Sequence, residues 1–272
     1  MSALPLSPEV FVILSEIIEE RVGIHYRLDD RDLLSERLTP RAIERGFDSL
    51  FDYYRFLRYD PAAGEELHAL ADALVVNETY FFREADQLRV LAHEIVPEIV
   101  KRRAAARVWC AACSTGEEPL TVAMLLAQRG LLDKVELIAS DISQRALARA
   151  RQGEYGQRSL RAVPSGVVGR WLLERGEVVN VEPSLFGSID WRQVNLLDAA
   201  EVGALGSFDA ILCRNVLIYF REDTVRSVVN RIAASLRPHG YLLVGASESL
   251  LRYGISLSCE ERGGAFFYRK EH

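Results

Sequence analysis

The stretch Ala106-Arg-Val-Trp-Cys-Ala-Ala-Cys-Ser-Thr-Gly-Glu-Glu-Pro119 leaves this chain few options. It reads as a short apolar strand, a tight polar turn at Ser114-Thr115-Gly116, and a helix opening at Glu117-Glu118-Pro119, where the missing proline N–H costs nothing. A second strand, 135–140, ends on Asp141, about 25 residues after Gly116. A strand–turn–helix–strand–acid unit of this kind begins a doubly wound α/β fold. The turn after its first strand holds a ligand against the backbone, and the acid after its second accepts hydrogen bonds from a ribose.

The turn is a poor phosphate site. Gly116 is its one glycine where a dinucleotide fingerprint has three, and two glutamates at a helix start cancel the positive end of the helix dipole. The expected ligand therefore carries a ribose, no phosphate at this turn, and positive charge. S-adenosylmethionine fits that description. The alternative, a buried α/β unit that binds nothing, stays open on this stretch alone.

A chain of 272 residues with 49% hydrophobic content can bury a full core in one or two domains. No apolar run approaches the roughly 18 residues of a membrane span, and no basic-then-apolar segment opens the chain, so a soluble cytoplasmic protein with no membrane insertion is expected. Cys110 and Cys113 form a lone Cys-x-x-Cys without a second pair, and the five histidines are scattered. The two cysteines read as small apolar fillers, and no metal is expected. The net charge of −6 argues against a general nucleic-acid binder. It is unevenly spread: residues 1–76 hold 8 basic and 15 acidic side chains, the remainder 25 and 24.

Ser7-Pro8-Glu9 starts a helix that Gly23 ends; a second helix begins near Asp30, a third spans about 51–57, and a fourth follows Asp60-Pro61. Residues 1–76 thus form a small all-helical domain. Arg37, Arg41 and Arg45, four apart, make one basic stripe if the second helix continues through Pro40. One long helix is expected over 85–103, another after Ser143, and a short one near 167–173. Segments 177–181 and 189–194 alternate as a small β excursion, and 194–198 closes the third main strand. The fourth strand is 208–213, with Arg214-Asn215 at its end. A turn at 237–240 precedes a fifth strand at 241–245, and 266–268 is the last strand, antiparallel at the sheet edge. With no long exposed apolar face, a monomer is expected.

Taken together, these motifs resemble those of the CheR family of chemotaxis receptor glutamate methyltransferases. Asn77-Glu-Thr-Tyr-Phe-Phe-Arg83 resembles the family's Asn-x-Thr-x-Phe-Phe-Arg segment, and Trp109–Pro119 its cofactor loop. Ala139-Ser-Asp-Ile-Ser143 is similar to its second-strand acid, Phe208–Phe220 to its fourth-strand signature, and Pro238–Tyr241 with Ser247–Leu250 to its fifth-strand segment. The resemblance covers nearly the whole chain. It implies a Rossmann-like S-adenosylmethionine-dependent methyltransferase domain at 77–272, a helical receptor-recognition domain at 1–76, and a small β subdomain insertion at about 177–194.

The resemblance also implies S-adenosylmethionine as cofactor, S-adenosylhomocysteine as product, and glutamates on the cytoplasmic helical domain of a chemoreceptor as substrate. Its cofactor contacts carry over to Asn77, Thr79, Arg83, Glu118, Asp141, Asn195, Leu196, Arg214 and Asn215. The sequence alone does not choose between Glu117 and Glu118; the family motif favours Glu118. Arg83 and Tyr219 are expected to flank the reacting centre, and Arg37, Arg41 and Arg45 to dock the receptor. Some members also grip a receptor C-terminal peptide through the β insertion; the shortness of 177–194 favours an enzyme without that tether. Two rival readings remain. One is another S-adenosylmethionine enzyme, acting on nucleic acid or a small molecule; against the nucleic-acid case, Arg214–Tyr219 lacks the prolines of an Asn-Pro-Pro-Tyr segment. The other is a degenerate, non-catalytic scaffold.

Overall fold

A computed structural model describes residues 3–272; residues 1 and 2, where the expected helical domain begins, lie outside the described residues. The chain divides into two units, one of residues up to Val76 with Tyr219–Thr224, the other of Asn77–Ile218 with Val225–His272.

In the first unit, α1 (Pro8–Val22) begins where the Ser7 side chain accepts the Val10 N–H. It ends at Gly23, whose φ of 85° suits glycine. Helix α2 (Arg31–Glu44) continues through Pro40, α3 (Leu50–Tyr59) is capped by Ser49, and α4 (Ala63–Leu74) completes the bundle. Leu14, Ile18, Leu34, Leu38, Leu70 and Leu74 are fully buried between them. An acid shares that interior. Glu66 is fully buried and accepts the Tyr53 hydroxyl at 2.6 Å, Arg41 at 3.0 and 2.5 Å, and the Arg45 Nε at 2.5 Å. Burial alone would raise the Glu66 carboxyl, but bonds from Arg41, Tyr53 and Arg45 outweigh it and hold the group below its ordinary value.

In the second unit the helix expected over 85–103 runs without a gap: α5 (Ala85–Val90) and α6 (Val96–Arg103) are joined by a π-helical turn, Leu91–Ile95. Pro97 accounts for the widened turn: it has no N–H to return to the preceding turn. Next come β1 (Ala106–Ala111), α7 (Glu117–Gln128), β2 (Val135–Asp141) and α8 (Gln144–Gln152). An insertion follows with β3 (Glu154–Gly156), β4 (Leu172–Arg175), β5 (Val178–Val181) and α9 (Pro183–Phe186). The chain then runs through β6 (Ile189–Gln193), α10 (Ala199–Ala204), β7 (Phe208–Cys213), α11 (Glu222–Ala234), β8 (Leu236–Leu243), β9 (Ser258–Arg262) and β10 (Ala265–Arg269).

Among the described residues, seven strands form one sheet in the order β6-β2-β1-β7-β8-β10-β9. The first five run parallel, and β10 is antiparallel to both of its neighbours, β8 and β9. This is the expected α/β architecture. Strands β1 and β7 are buried almost throughout, as central parallel strands covered on both faces must be. The chain order reverses between β1 and β7, which opens a crevice at their carboxyl ends.

Several boundaries differ from expectation. Ile189–Gln193 is not part of a β excursion; it pairs with β2 as the outer strand of the main sheet. The small sheet is instead β3-β5-β4, so the insertion draws on residues 153–188, not 177–194, and shortness no longer argues against a receptor-tail tether. No helix forms near 167–173; a turn there leads directly into β4. Arg237–Gly240 is a distortion within β8 rather than a turn. His239 takes a φ of 64°, and a Cβ on Gly240 would lie 3.1 Å from the Asp209 carbonyl oxygen. Finally, β10 is internal and β9 forms the edge. The hairpin turn Gly263-Gly264, with φ of 55° and 78°, joins them. Nothing in Ser-Cys-Glu-Glu-Arg announces a strand, because an edge strand of this kind buries no apolar face.

The Glu66 network gives a direct test. A carboxyl held below its unfolded value contributes stability above that value, near pH 4.5, and loses it as pH falls through the lower folded value. Replacing Glu66 with Ala should cost about 2–3 kcal/mol in urea denaturation at pH 7, less than a fully enclosed pair because Arg41 and Arg45 reach solvent. The difference from wild type should shrink below pH 4; equal stability at pH 7 would show that the network contributes nothing.

Candidate functional site

The loop from β1 to α7 turns sharply through three left-handed residues, Ala112, Ser114 and Gly116. Only Gly116 takes that conformation without strain, and a Cβ there would strike the Trp191 ring at 2.8 Å. The turn is fastened by Asp141 at the end of β2. One carboxylate oxygen accepts the Ser114 N–H at 2.8 Å, the other the Ser143 N–H at 2.9 Å. The Ser114 hydroxyl in turn donates to Asn77 Oδ1 at 3.1 Å, which brings segment 77–84 to the same place.

The two glutamates opening α7 part company. Glu117 turns inward, where its carboxylate accepts the Thr115 hydroxyl at 2.7 Å and the Ser159 hydroxyl at 2.8 Å; burial pushes its carboxyl up. Glu118 faces the crevice and accepts Arg214 NH1 at 2.7 Å. Burial raises its carboxyl too, against the pull of Arg214. The Arg214 side chain, 1% exposed, also donates to the Arg83 carbonyl at 2.9 Å and the Glu84 carboxylate at 3.0 Å. Its Nε is buried with no partner, so one donor of the guanidinium awaits an acceptor.

Glu84 and Glu248 were given no role from sequence, yet both organise this end of the sheet. Glu84 accepts from Arg214, from Asn215 Nδ2 at 3.2 Å and from the Ala246 N–H at 3.0 Å. Glu248 accepts three backbone N–H groups, of Asn215 at 2.6 Å, Gly245 at 2.7 Å and Ile218 at 3.2 Å. It ties the loop after β7 to the loop after β8. The available signal was position: one acid follows Arg83 directly, and the other lies in the polar Ser247-Glu248-Ser249 beyond β8.

The remaining expected residues fall as follows. Thr79 is half-buried on segment 77–84. Arg83 donates to the Glu78 carbonyl at 3.0 Å and lies 5.8 Å from the Tyr80 ring centre. On the loop after β6, Asn195 Oδ1 accepts the Leu197 N–H, and the buried Leu196 offers its carbonyl to Arg231. Asn77, Glu118, Asp141, Asn195, Leu196, Arg214 and Asn215 thus lie on loops, a helix start and a strand end in the second unit. Tyr219 ends a 3₁₀ turn, Leu217–Tyr219, and groups with the helical unit, where its carbonyl accepts the His25 N–H at 2.9 Å. In that unit Arg41 and Arg45 are bound to Glu66, Arg41 also to Glu44, and Arg37 donates to the Leu74 carbonyl. Cys110 and Cys113 are buried, and burial pushes both thiols well up, away from the reactive thiolate.

A family model described as "CheR methyltransferase, all-alpha domain" matches residues 9–75, and one described as "CheR methyltransferase, SAM binding domain" matches residues 77–261. The chain is 35% identical to chemotaxis protein methyltransferase 2 of Vibrio cholerae, over 100% of this chain and 96% of that protein. It is 36% identical to a chemotaxis protein methyltransferase of Klebsiella aerogenes, over 90% and 85%, and 35% identical to one of Escherichia coli, over 90% and 86%.

Arg214 is the cation on which the two carboxylates depend. Replacing it with Met should cost about 3–5 kcal/mol in urea denaturation, since Glu84 and Glu118 would face each other uncompensated. Lys should recover only part, because an ammonium cannot span both acids and the Arg83 carbonyl at once. Wild-type stability in the Met variant would count against this account.

Proposed function

The chain belongs to the CheR methyltransferase family, and from that premise we propose that it methylates glutamate side chains on the cytoplasmic helical domain of a chemoreceptor. The products are glutamate γ-methyl esters and S-adenosylhomocysteine, and the reaction serves sensory adaptation. The observation that carries this reading is the charge of the crevice: Asp141 and Glu118 stand beside it, and the buried cation Arg214 keeps its Nε donor without a partner. That set suits S-adenosylmethionine. Asp141 offers acceptors for ribose hydroxyls, Glu118 and Glu84 offer negative charge to a cationic ligand, and Arg214 offers a donor to its carboxylate. Asn77, Thr79, Arg83, Asn195, Leu196 and Asn215 complete the proposed cofactor contacts.

S-adenosylmethionine supplies an electrophilic methyl group on a sulfonium. The protein has to align a carboxylate oxygen with that methyl and strip water from it. Glutamate, with a pKa near 4.3, is already ionised at pH 7, so the protein need not remove a proton. Opposite charges cancel as the bond forms, and a drier site favours the less charged transition state. Arg83 orients the substrate carboxylate, and the Tyr219 hydroxyl hydrogen-bonds it. On α2, Arg41 and Arg45 are matched by Glu66 and Glu44, and Arg37 adds the charge that makes the stripe positive toward an acidic receptor helix.

The test is methyl-labelled S-adenosylmethionine with the purified protein and chemoreceptor-containing membranes. Label released as methanol by mild base is expected; base-stable label would sink the glutamate reading. Tyr219→Phe should lower kcat roughly tenfold or more with cofactor affinity, read by calorimetry, nearly unchanged; full activity would remove Tyr219 from the mechanism.

A further inference from the structure

Resting on that reading, we infer that Arg158, Arg161 and Tyr80, together with Arg83, form a second docking surface for an acidic helical segment, on the catalytic unit itself. The turn after β3, Gln157–Leu160, is strapped to the site at several points. The Ser159 carbonyl accepts the Phe81 N–H at 2.9 Å, and the Ser159 hydroxyl donates to Glu117 at 2.8 Å. The Tyr155 hydroxyl donates to the Thr115 carbonyl at 2.7 Å, and its ring packs edge-on against Phe81 at 4.8 Å. None of these contacts requires arginine at 158 or 161, and both are exposed.

What the strap does is fix the backbone turn that carries both arginines. The Arg161 guanidinium lies 3.7 Å above the centre of the Tyr80 ring, and Arg83 approaches the same ring at 5.8 Å. An aromatic face holds a guanidinium without neutralising it and leaves its N–H edge for a planar carboxylate. The acid paired with Arg161 is Glu78, at 2.7 Å and 67% exposed. An exposed pair of that kind is weak and yields to a competing carboxylate. Three arginines against one glutamate leave net positive charge beside the segment that carries Asn77 and Arg83, in a chain of net charge −6 where attraction for an acidic partner has to come from local clusters. A helix fits this surface because glutamates three or four residues apart share one face, so the neighbours of a reacting glutamate reach it together.

The experiment measures anisotropy of a fluorescein-labelled, alanine-based helical peptide with glutamate at every fourth position, alongside receptor methylation kinetics, using the full chain. R158E/R161E should weaken peptide binding roughly tenfold at low ionic strength, with the gap closing as salt is added. The half-saturating receptor concentration should rise more than kcat falls. E78Q should tighten binding about two- to threefold, a gain that damaged folding cannot produce. Equal peptide binding by wild type and R158E/R161E overturns this surface alone, as does preferential binding of a single-stranded oligonucleotide over the peptide. Base-stable label on the receptor removes the glutamate reading instead, while the anisotropy still judges the surface.

Discussion

The catalytic unit is organised around one buried cation. The Arg214 guanidinium, at the end of β7, reaches Glu118 at the start of α7, Glu84 at the start of α5 and the Arg83 carbonyl. Three stretches far apart in sequence thereby meet at one charge. A guanidinium suits the task because its planar fork offers donors in several directions at once, and a cation out of water demands that they be met. Two acids answer it, which makes the surrounding crevice acidic rather than basic. That inversion separates this site from nucleotide-phosphate sites on related α/β sheets, where helix N-termini and glycine-rich turns present positive charge.

Backbone strain gathers around the same point. Of the seven non-glycine residues with positive φ among the described residues, five are Phe82, Glu84, Ala112, Ser114 and Asn215. Each costs roughly 1 kcal/mol or more and persists only where its surroundings insist. Here they do: Asp141 pins Ser114, Arg214 pins Glu84, and Glu248 pins Asn215. Strain and carboxylates together fix the loops before any ligand arrives, which lowers the ordering cost of binding.

In the helical unit the same device serves another end. Glu66, buried among Tyr53, Arg41 and Arg45, orients two arginines that would otherwise sample many rotamers. The stripe read from the four-residue spacing exists because α2 continues through Pro40. What the spacing could not reveal is that the acid restraining it comes from α4, more than twenty residues away. Of the acids on α2 itself, Glu44 meets Arg41 at 2.6 Å from an exposed position, and Glu36 is exposed.

The α/β class, the helical N-terminal region and the polar groups at strand ends were legible in the sequence. They depend on local signals: apolar runs of strand length, helix caps such as Ser7 and Ser143, and acids placed at strand ends. The divergence of Glu117 and Glu118 was not legible, because adjacent helical residues point about 100° apart and only the packed neighbours say which faces the crevice. Nor were the roles of Glu84 and Glu248, whose partners come from other loops. The insertion's limits are hidden in the sequence for a related reason: Ile189–Gln193 alternates like a solitary hairpin strand, and only its pairing with β2 assigns it to the main sheet. Local chemistry chose the elements; long-range hydrogen bonds, which no short window of sequence contains, chose which side chains meet.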